Sequence, residues 1–214
     1  MPGSGPATGS RRTRSARKKR QICQQIAALP RRSVVLAEDE TDLLLFPPLR
    51  AGWAPRGQPL AVRLSGAKAR RVVFGALNLR TGTRLLLPRL RGRSGDFQAF
   101  LAEVRRCYRG WHVALLLDED PGHTARASQR AAEGMTLLWL PKRCPELNPL
   151  ETLWGQAKDV ICANRQYRII EEQVDRFGAY LTGLSNAAAL HSSGVFTMTF
   201  WLQRALSKNF RVPA

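Results

Sequence analysis

Ser33-Val34-Val35-Leu36-Ala37 is a short apolar, β-branched run, followed at once by Glu38-Asp39-Glu40. It predicts a buried strand with carboxylates at its carboxyl end. Strand character returns over residues 71–77 (RVVFGAL) and, after a turn at 78–82, over residues 83–88 (TRLLLP), as consecutive antiparallel strands. Between the first and second strands, residues 46–59 (FPPLRAGWAPRGQP) hold so much Pro and Gly that they predict a loop or hairpin. Then Phe97, Phe100, Leu101, Val104 and Tyr108 recur at helical spacing, with Ser94 or Asp96 available to cap the start. Residues 111–117 (WHVALLL) predict a second buried strand, ending at Asp118. A weaker helix over 125–133, a strand over 136–140 and a break at Pro141 follow. Asn148-Pro149 then opens a helix whose buried face is Leu150, Leu153, Trp154, Ala157 and Ile161.

Antiparallel strands followed by strands joined through helical crossovers predict an α/β fold, a mixed sheet flanked by helices. This is the element order of an RNase H-like fold. The chain divides into a basic arm over residues 1–32, a core over 33–165, and a helical extension of the same domain over 166–214. The first 20 residues are rich in Gly, Pro, Ser and Arg and read as largely disordered, with a short helix at 21–29. The extension suggests helices near 169–181 and 196–206.

Charge sharpens the reading. Thirty-four Lys and Arg against 16 Asp and Glu give +18 over 214 residues. The arm carries nine of those basic residues and no acidic ones, which still leaves +9 on the rest. Such an excess calls for a polyanionic partner, and nucleic acid fits better than a membrane, for which no basic helix with an aromatic face is visible. No apolar stretch reaches membrane-spanning length, and the amino terminus lacks the apolar core of a secretory signal, so a cytoplasmic, nucleoid-associated protein is expected. Cys23, Cys107, Cys144 and Cys162 lack the spacing of a zinc site or a disulfide framework and read as reduced thiols.

Two apolar strands that end at Asp39 and Asp118 would bring two carboxylates to one edge of the sheet, where ligand sites of α/β folds open. Close carboxylates repel unless they are protonated or bridged by cations, and Mg²⁺ prefers such hard oxygen donors. Glu151, at a helix start, is placed to add a third. It also sits three residues after Asn148, so a capping box tying it back to the cap backbone is an equally open reading. Glu38, Glu40 and Asp42 read as surface groups or as residues behind the ligands.

Three segments bear a resemblance: EDET at 38–41, LDEDPGH at 117–123, and LPKRCPELNPLETLW at 140–154. In this order and spacing they resemble the mariner-type transposases of bacterial insertion sequences, in the DDE superfamily. The likeness covers roughly residues 33–165, including GWAPRGQP and the strand VVFGALNLRTG. It implies a core in which Asp39, Asp118 and Glu151 bind two Mg²⁺ or Mn²⁺ ions. Such enzymes cut DNA at transposon ends and join the freed 3′-hydroxyl to target DNA. His123 matches a histidine common in the family at that spacing and reads as a residue behind the ligands or facing DNA, or as a structural residue at a helix start. Lys158, two turns along the same face from Glu151, reads as a phosphate contact or an ordinary exposed lysine, and Trp53 and Arg56 as contacts to DNA or to a second subunit. A homodimer on DNA is implied as well.

Departures from the family lie at Glu119 and Asp120, where the residue after the second Asp is often Asn, and in the 32 residues between Asp118 and Glu151, slightly fewer than usual. About 32 residues precede the first core strand, too few for the family's helix-turn-helix domains. Two expectations follow. Either a separate helix-turn-helix polypeptide recognises the transposon ends, or the chain is a truncated or repurposed DNA-binding fragment without catalysis.

Overall fold

The computed structural model describes residues 8–58 and 61–207. Residues 1–7 of the arm, 59–60 of the Pro/Gly segment and 208–214 of the extension lie outside the described residues. Five strands form one sheet in the order β3-β2-β1-β4-β5, with β1 Ser33–Leu44, β2 Arg70–Asn78, β3 Arg84–Arg89, β4 His112–Leu117 and β5 Thr136–Trp139. The first three pair antiparallel, while β4 joins β1, and β5 joins β4, in parallel. Helix α2 (Ser94–Cys107) and the short α3 (Pro121–Thr124) and α4 (Arg126–Ala131) cover one face. The other face carries α1 (Thr8–Ala27), α5 (Pro149–Ile161), α6 (Ile170–Gly183), α7 (Asn186–Ser192) and α8 (Gln203–Leu206).

Side-chain alternation along β1 separates two cores. Val34 and Leu36 pack with Phe74, Phe97 and Phe100 beneath α2, while Val35 and Ala37 pack with Leu153, Trp154 and Phe177 beneath α5 and α6. Opposite Asp39 on β2 stands Gly75. A Cβ there would lie 2.4 Å from the Trp154 Cη2 atom, so the missing side chain is the notch that lets α5 lie close on the sheet.

Three expectations are corrected. The arm is not largely disordered, because α1 runs from Thr8 to Ala27. Ile22 and Ile26 are buried in the α5-side core and anchor it, and Lys19 lies over the Trp201 ring. Strand β1 does not stop before the acidic residues but continues to Leu44, because β2 goes on pairing with it after β4 has ended at the level of Ala37. In the extension, residues 196–202 form turns rather than helix, whereas Ser185 caps the short α7, whose Ala-rich sequence carries little periodicity. The cap of α2 comes from Asp96, which accepts a bond from the Arg93 amide at 3.2 Å.

Candidate active site

Where β4 ends, β1 runs on alone on that side, and the gap beyond Leu117 is where the acidic residues gather. Asp39 follows Val35 and Ala37 onto the α5 face, and Asp118 leaves the last residue of β4. Across from them, Asn148 fixes the start of α5 in two ways. Its Nδ2 donates to the Glu38 carbonyl at 2.7 Å, and its Oδ1 accepts from the Leu150 amide at 3.2 Å. The Asn148 amide is itself taken by the Pro145 carbonyl at 2.8 Å, which leaves no cap donor for Glu151. The capping-box alternative is therefore not realised, and the exposed Glu151 side chain faces a small cleft of about 90 Å³ lined by Asp39, Asp118, Pro141, Arg143 and Asn148. Asn148→Ala removes both bonds at once. We expect it to cost about 2 kcal/mol by thermal melting, from a lost cap and an orphaned buried carbonyl, and to lower any metal-dependent activity further because Glu151 loses its footing.

Electrostatically the cleft is poised for cations. Asp39 Oδ2 is buried without a hydrogen-bond partner. Burial first, then the neighbouring Glu151, Glu40 and Asp118, push its carboxyl up to about 8. Asp118 is held below the usual carboxylate range, mainly by the hydrogen bond from His123.

His123 lies behind the cleft on the α2 side of the sheet, 2% exposed, with its ring 4.3 Å from that of Phe97. Its Nδ1 lies 3.0 Å from Asp118 Oδ1, and its Nε2 faces Glu40 Oε2 at 3.2 Å and Glu38 Oε2 at 3.7 Å. Although burial opposes its charge, these three carboxylates raise it to about 11, so it stands as a buried imidazolium. The DNA-facing alternative for His123 is thus excluded by its burial. Glu38 is likewise no surface group: it is fully buried, neither carboxylate oxygen has a hydrogen bond, and burial pushes its carboxyl well up. The missed signal was alternation, since Glu38 and Glu40 share a strand face with the core residues Val34 and Leu36.

The remaining site expectations fall elsewhere. Lys158, two turns along α5, lines a groove with Asp42, Phe46, Pro48, Arg50 and Gln173, not the carboxylate cleft. Trp53 and Arg56 are exposed on the Pro/Gly loop and also stand apart from the cleft. That loop is pinned by Asn164, whose side chain accepts from the Arg50 amide at 2.8 Å and donates to its carbonyl at 2.9 Å. Gln166 holds the far end through the Ser65 amide. All four cysteines are free.

A mixed five-stranded sheet with an acidic cleft past the end of its central parallel strand defines an RNase H-like protein. It matches the Mos1 transposase in a paired-end complex with the left transposon end, with a TM-score of 0.63 at 16% identity over 98% of this chain and 66% of that one. The isolated catalytic domain of Mos1 mariner transposase gives 0.58 at 14% identity, with both chains fully covered. At such identities the likeness is one of fold.

The chain belongs to the DDE superfamily endonuclease family, whose model matches residues 34–173 and so includes all three carboxylates. It is 33% identical over 105 residues to an uncharacterized protein, y4pE/y4sA, of Sinorhizobium fredii, covering 48% of this chain and 76% of that one. It is 29% identical over 136 residues to an uncharacterized 39 kDa protein of insertion element IS630 from Shigella sonnei. That match takes in 62% of this chain and 40% of the relative, so the chain spans less than half of the insertion-element protein's length. No helix among the described residues is long and apolar enough to cross a membrane.

Proposed function

We propose that the chain is the catalytic core of a cut-and-paste DNA transposase, with Asp39, Asp118 and Glu151 as the ligands of two Mg²⁺ or Mn²⁺ ions. The observation that carries this reading is the cleft itself: three carboxylates from β1, the end of β4 and the start of α5 line one small space. The donor set fits the ions. It is all hard oxygen, and Asp39 offers a buried, unpartnered carboxylate oxygen that only a cation or a proton can satisfy. Mos1 mariner paired-end complexes have been solved with Mn and with Mg, which supports either metal here. The chemistry that such ions supply when bound is a nucleophilic oxygen of lowered pKa and neutralised charge at the scissile phosphate.

This chain's own residues set the stage. His123 holds Asp118 Oδ1 by its Nδ1 and leaves the rest of that carboxylate free to face the cleft. The imidazolium also faces Glu40 and the buried Glu38, whose carboxyl burial pushes towards the protonated form, so little uncompensated negative charge lies behind Asp39. Asn148 sets the distance between Glu151 and the β1 backbone. The net charge of +18 supplies salt-sensitive attraction to DNA. Trp53 and Arg56 offer an aromatic ring and a guanidinium to DNA or to a second subunit of a homodimer, and Lys158 a cation to a phosphate beyond the cleft.

Plasmid nicking by the purified chain, with Mg²⁺ or Mn²⁺ and beside Asp118→Asn, tests the proposal. We expect nicking that requires metal and disappears in the variant. Binding of plasmid without nicking under either metal would replace this reading with that of a non-catalytic DNA-binding protein.

A further inference from the structure

Beside the carboxylate cleft runs a second, larger groove of about 550 Å³, lined by Arg14, Ser15 and Lys18 of α1, by Glu119, and by Pro141 to Cys144 of the β5–α5 connection. The two spaces are continuous in their walls, since Pro141, Arg143 and Cys144 line both. Four of the groove's residues are basic, and they come from two elements far apart in sequence. Between them stands one acidic residue. Glu119 Oε1 lies 3.6 Å from Lys18 Nζ, and Glu119 Oε2 lies 3.3 Å from Lys142 Nζ, so one carboxylate spans the groove and holds both lysines.

We propose that this groove is a binding site for the phosphodiester backbone of duplex DNA, and that Glu119 is an internal stand-in that occupies the place of a phosphate until DNA displaces it. The inference rests on the proposed reading of the adjacent cleft and extends it by naming the surface along which the substrate strand approaches. A carboxylate bridging two ammonium groups offers the same single negative charge as a phosphodiester and, like it, two anionic oxygens that can each face one ammonium. Its displacement is easiest on the Lys142 side, where the ammonium is 76% exposed and a solvated ion pair contributes little. Helix α1 cannot drift from the groove, since Ile22 and Ile26, one and two turns on from Lys18, are locked in the core. The phosphate track is thus rigid on the α1 side, and Lys142 on the opposite side is largely exposed.

In this reading the departure from the family's usual Asn at Glu119 is a built-in competitor that any duplex must displace, so it lowers affinity for DNA.

The test is fluorescence anisotropy of a labelled 20-bp duplex of arbitrary sequence with the full chain, without divalent metal, over a range of NaCl. Glu119→Gln should tighten binding by three- to tenfold. Glu103→Gln, an equal change of charge on α2 at a pair with Arg106 on the opposite face of the sheet, should give less than twofold. Lys18→Ala and Lys142→Ala should each weaken binding and lower the slope of log K against log salt by about 0.9. Lys142→Ala lies in a connection rather than in α1, so it reads the groove even if Lys18→Ala loosens the helix, and melting curves report that loosening. Equal effects of Glu119→Gln and Glu103→Gln, or a salt slope unchanged by Lys142→Ala, would overturn the proposal. A protein that nicks DNA with the groove variants unaffected refutes only the groove. One that binds through the groove and never nicks refutes only the catalytic reading.

Discussion

Asp39→Asn is expected to melt several degrees higher than the unsubstituted protein at pH 8.5 without metal, while losing all Mg²⁺-dependent nicking. The reason is the position of Asp39, half-buried with its Oδ2 shut off from water and with Glu151, Glu40 and Asp118 nearby, which lifts its carboxyl to about 8. In the unfolded chain the same group titrates near 3.9. The folded state therefore holds an extra proton between those values, and stability is lost as pH rises through about 8. Each unit of separation is worth at most about 1.4 kcal/mol, so four units set a ceiling of about 6 kcal/mol, which water reaching the half-buried Asp39 trims to a few kcal/mol, or on the order of 5–10 °C in a chain this size. Asn carries no charge to penalise, so the gap between the two proteins should close as pH falls towards 4. His123 adds a background slope in the same direction, because its pKa is raised as well, but it is common to both proteins. Mg²⁺ should raise the melting temperature of the unsubstituted protein at pH 8.5 and leave Asp39→Asn unmoved. A variant that melts no higher, or that still nicks, removes Asp39 from the ligand set.

Gly75→Ala is expected to destabilise the protein strongly. The new Cβ would sit 2.4 Å from Trp154 Cη2 and 2.5 Å from Cζ2, and Trp154 is itself buried and stacked on Phe177. The indole is rigid and boxed in, so the strain must move α5 off the sheet. Overpacking of this kind costs about 3 kcal/mol, or roughly 10 °C in melting temperature. Glu151 lies one turn before Trp154 on the same helix, so metal affinity should fall together with stability. Trp154→Phe in the Gly75→Ala background should recover part of the loss. A double-mutant cycle with no coupling between the two positions would mean that the clash is relieved elsewhere.

Much of this was legible in the sequence because the responsible signals are local. Apolar runs ending at acids marked β1 and β4, and Asn148-Pro149 marked the start of α5 to the residue. The five strands fell close to where alternation and turn residues put them. What escaped depends on tertiary partners. Helix α1 is so basic that it resembled an unstructured tail, and only Ile22 and Ile26 show that one of its faces has a core to join. For His123, Glu38 and Glu40 the sequence left open whether they lay at the surface or behind the ligands, because charged residues usually stay in water and only their approach to one another lets Glu38 and His123 be buried. The length of β1 was underread because polar residues replace apolar ones after Ala37, while the partner β2 keeps the ladder going.

Both faces of β1 are apolar from Val34 to Ala37, so burial alone would tolerate this strand shifted by one residue. What distinguishes the native alignment lies further along: Gly75 must meet Asp39 for Trp154 to seat, the Glu38 carbonyl must meet Asn148, and Glu38 and Glu40 must flank His123. A slip would send Asp39 among the phenylalanines and Glu38 or Glu40 into the cleft. The residues we propose for chemistry are thus also the proofreading marks of assembly, and variants that simplify them are expected to fold with more errors.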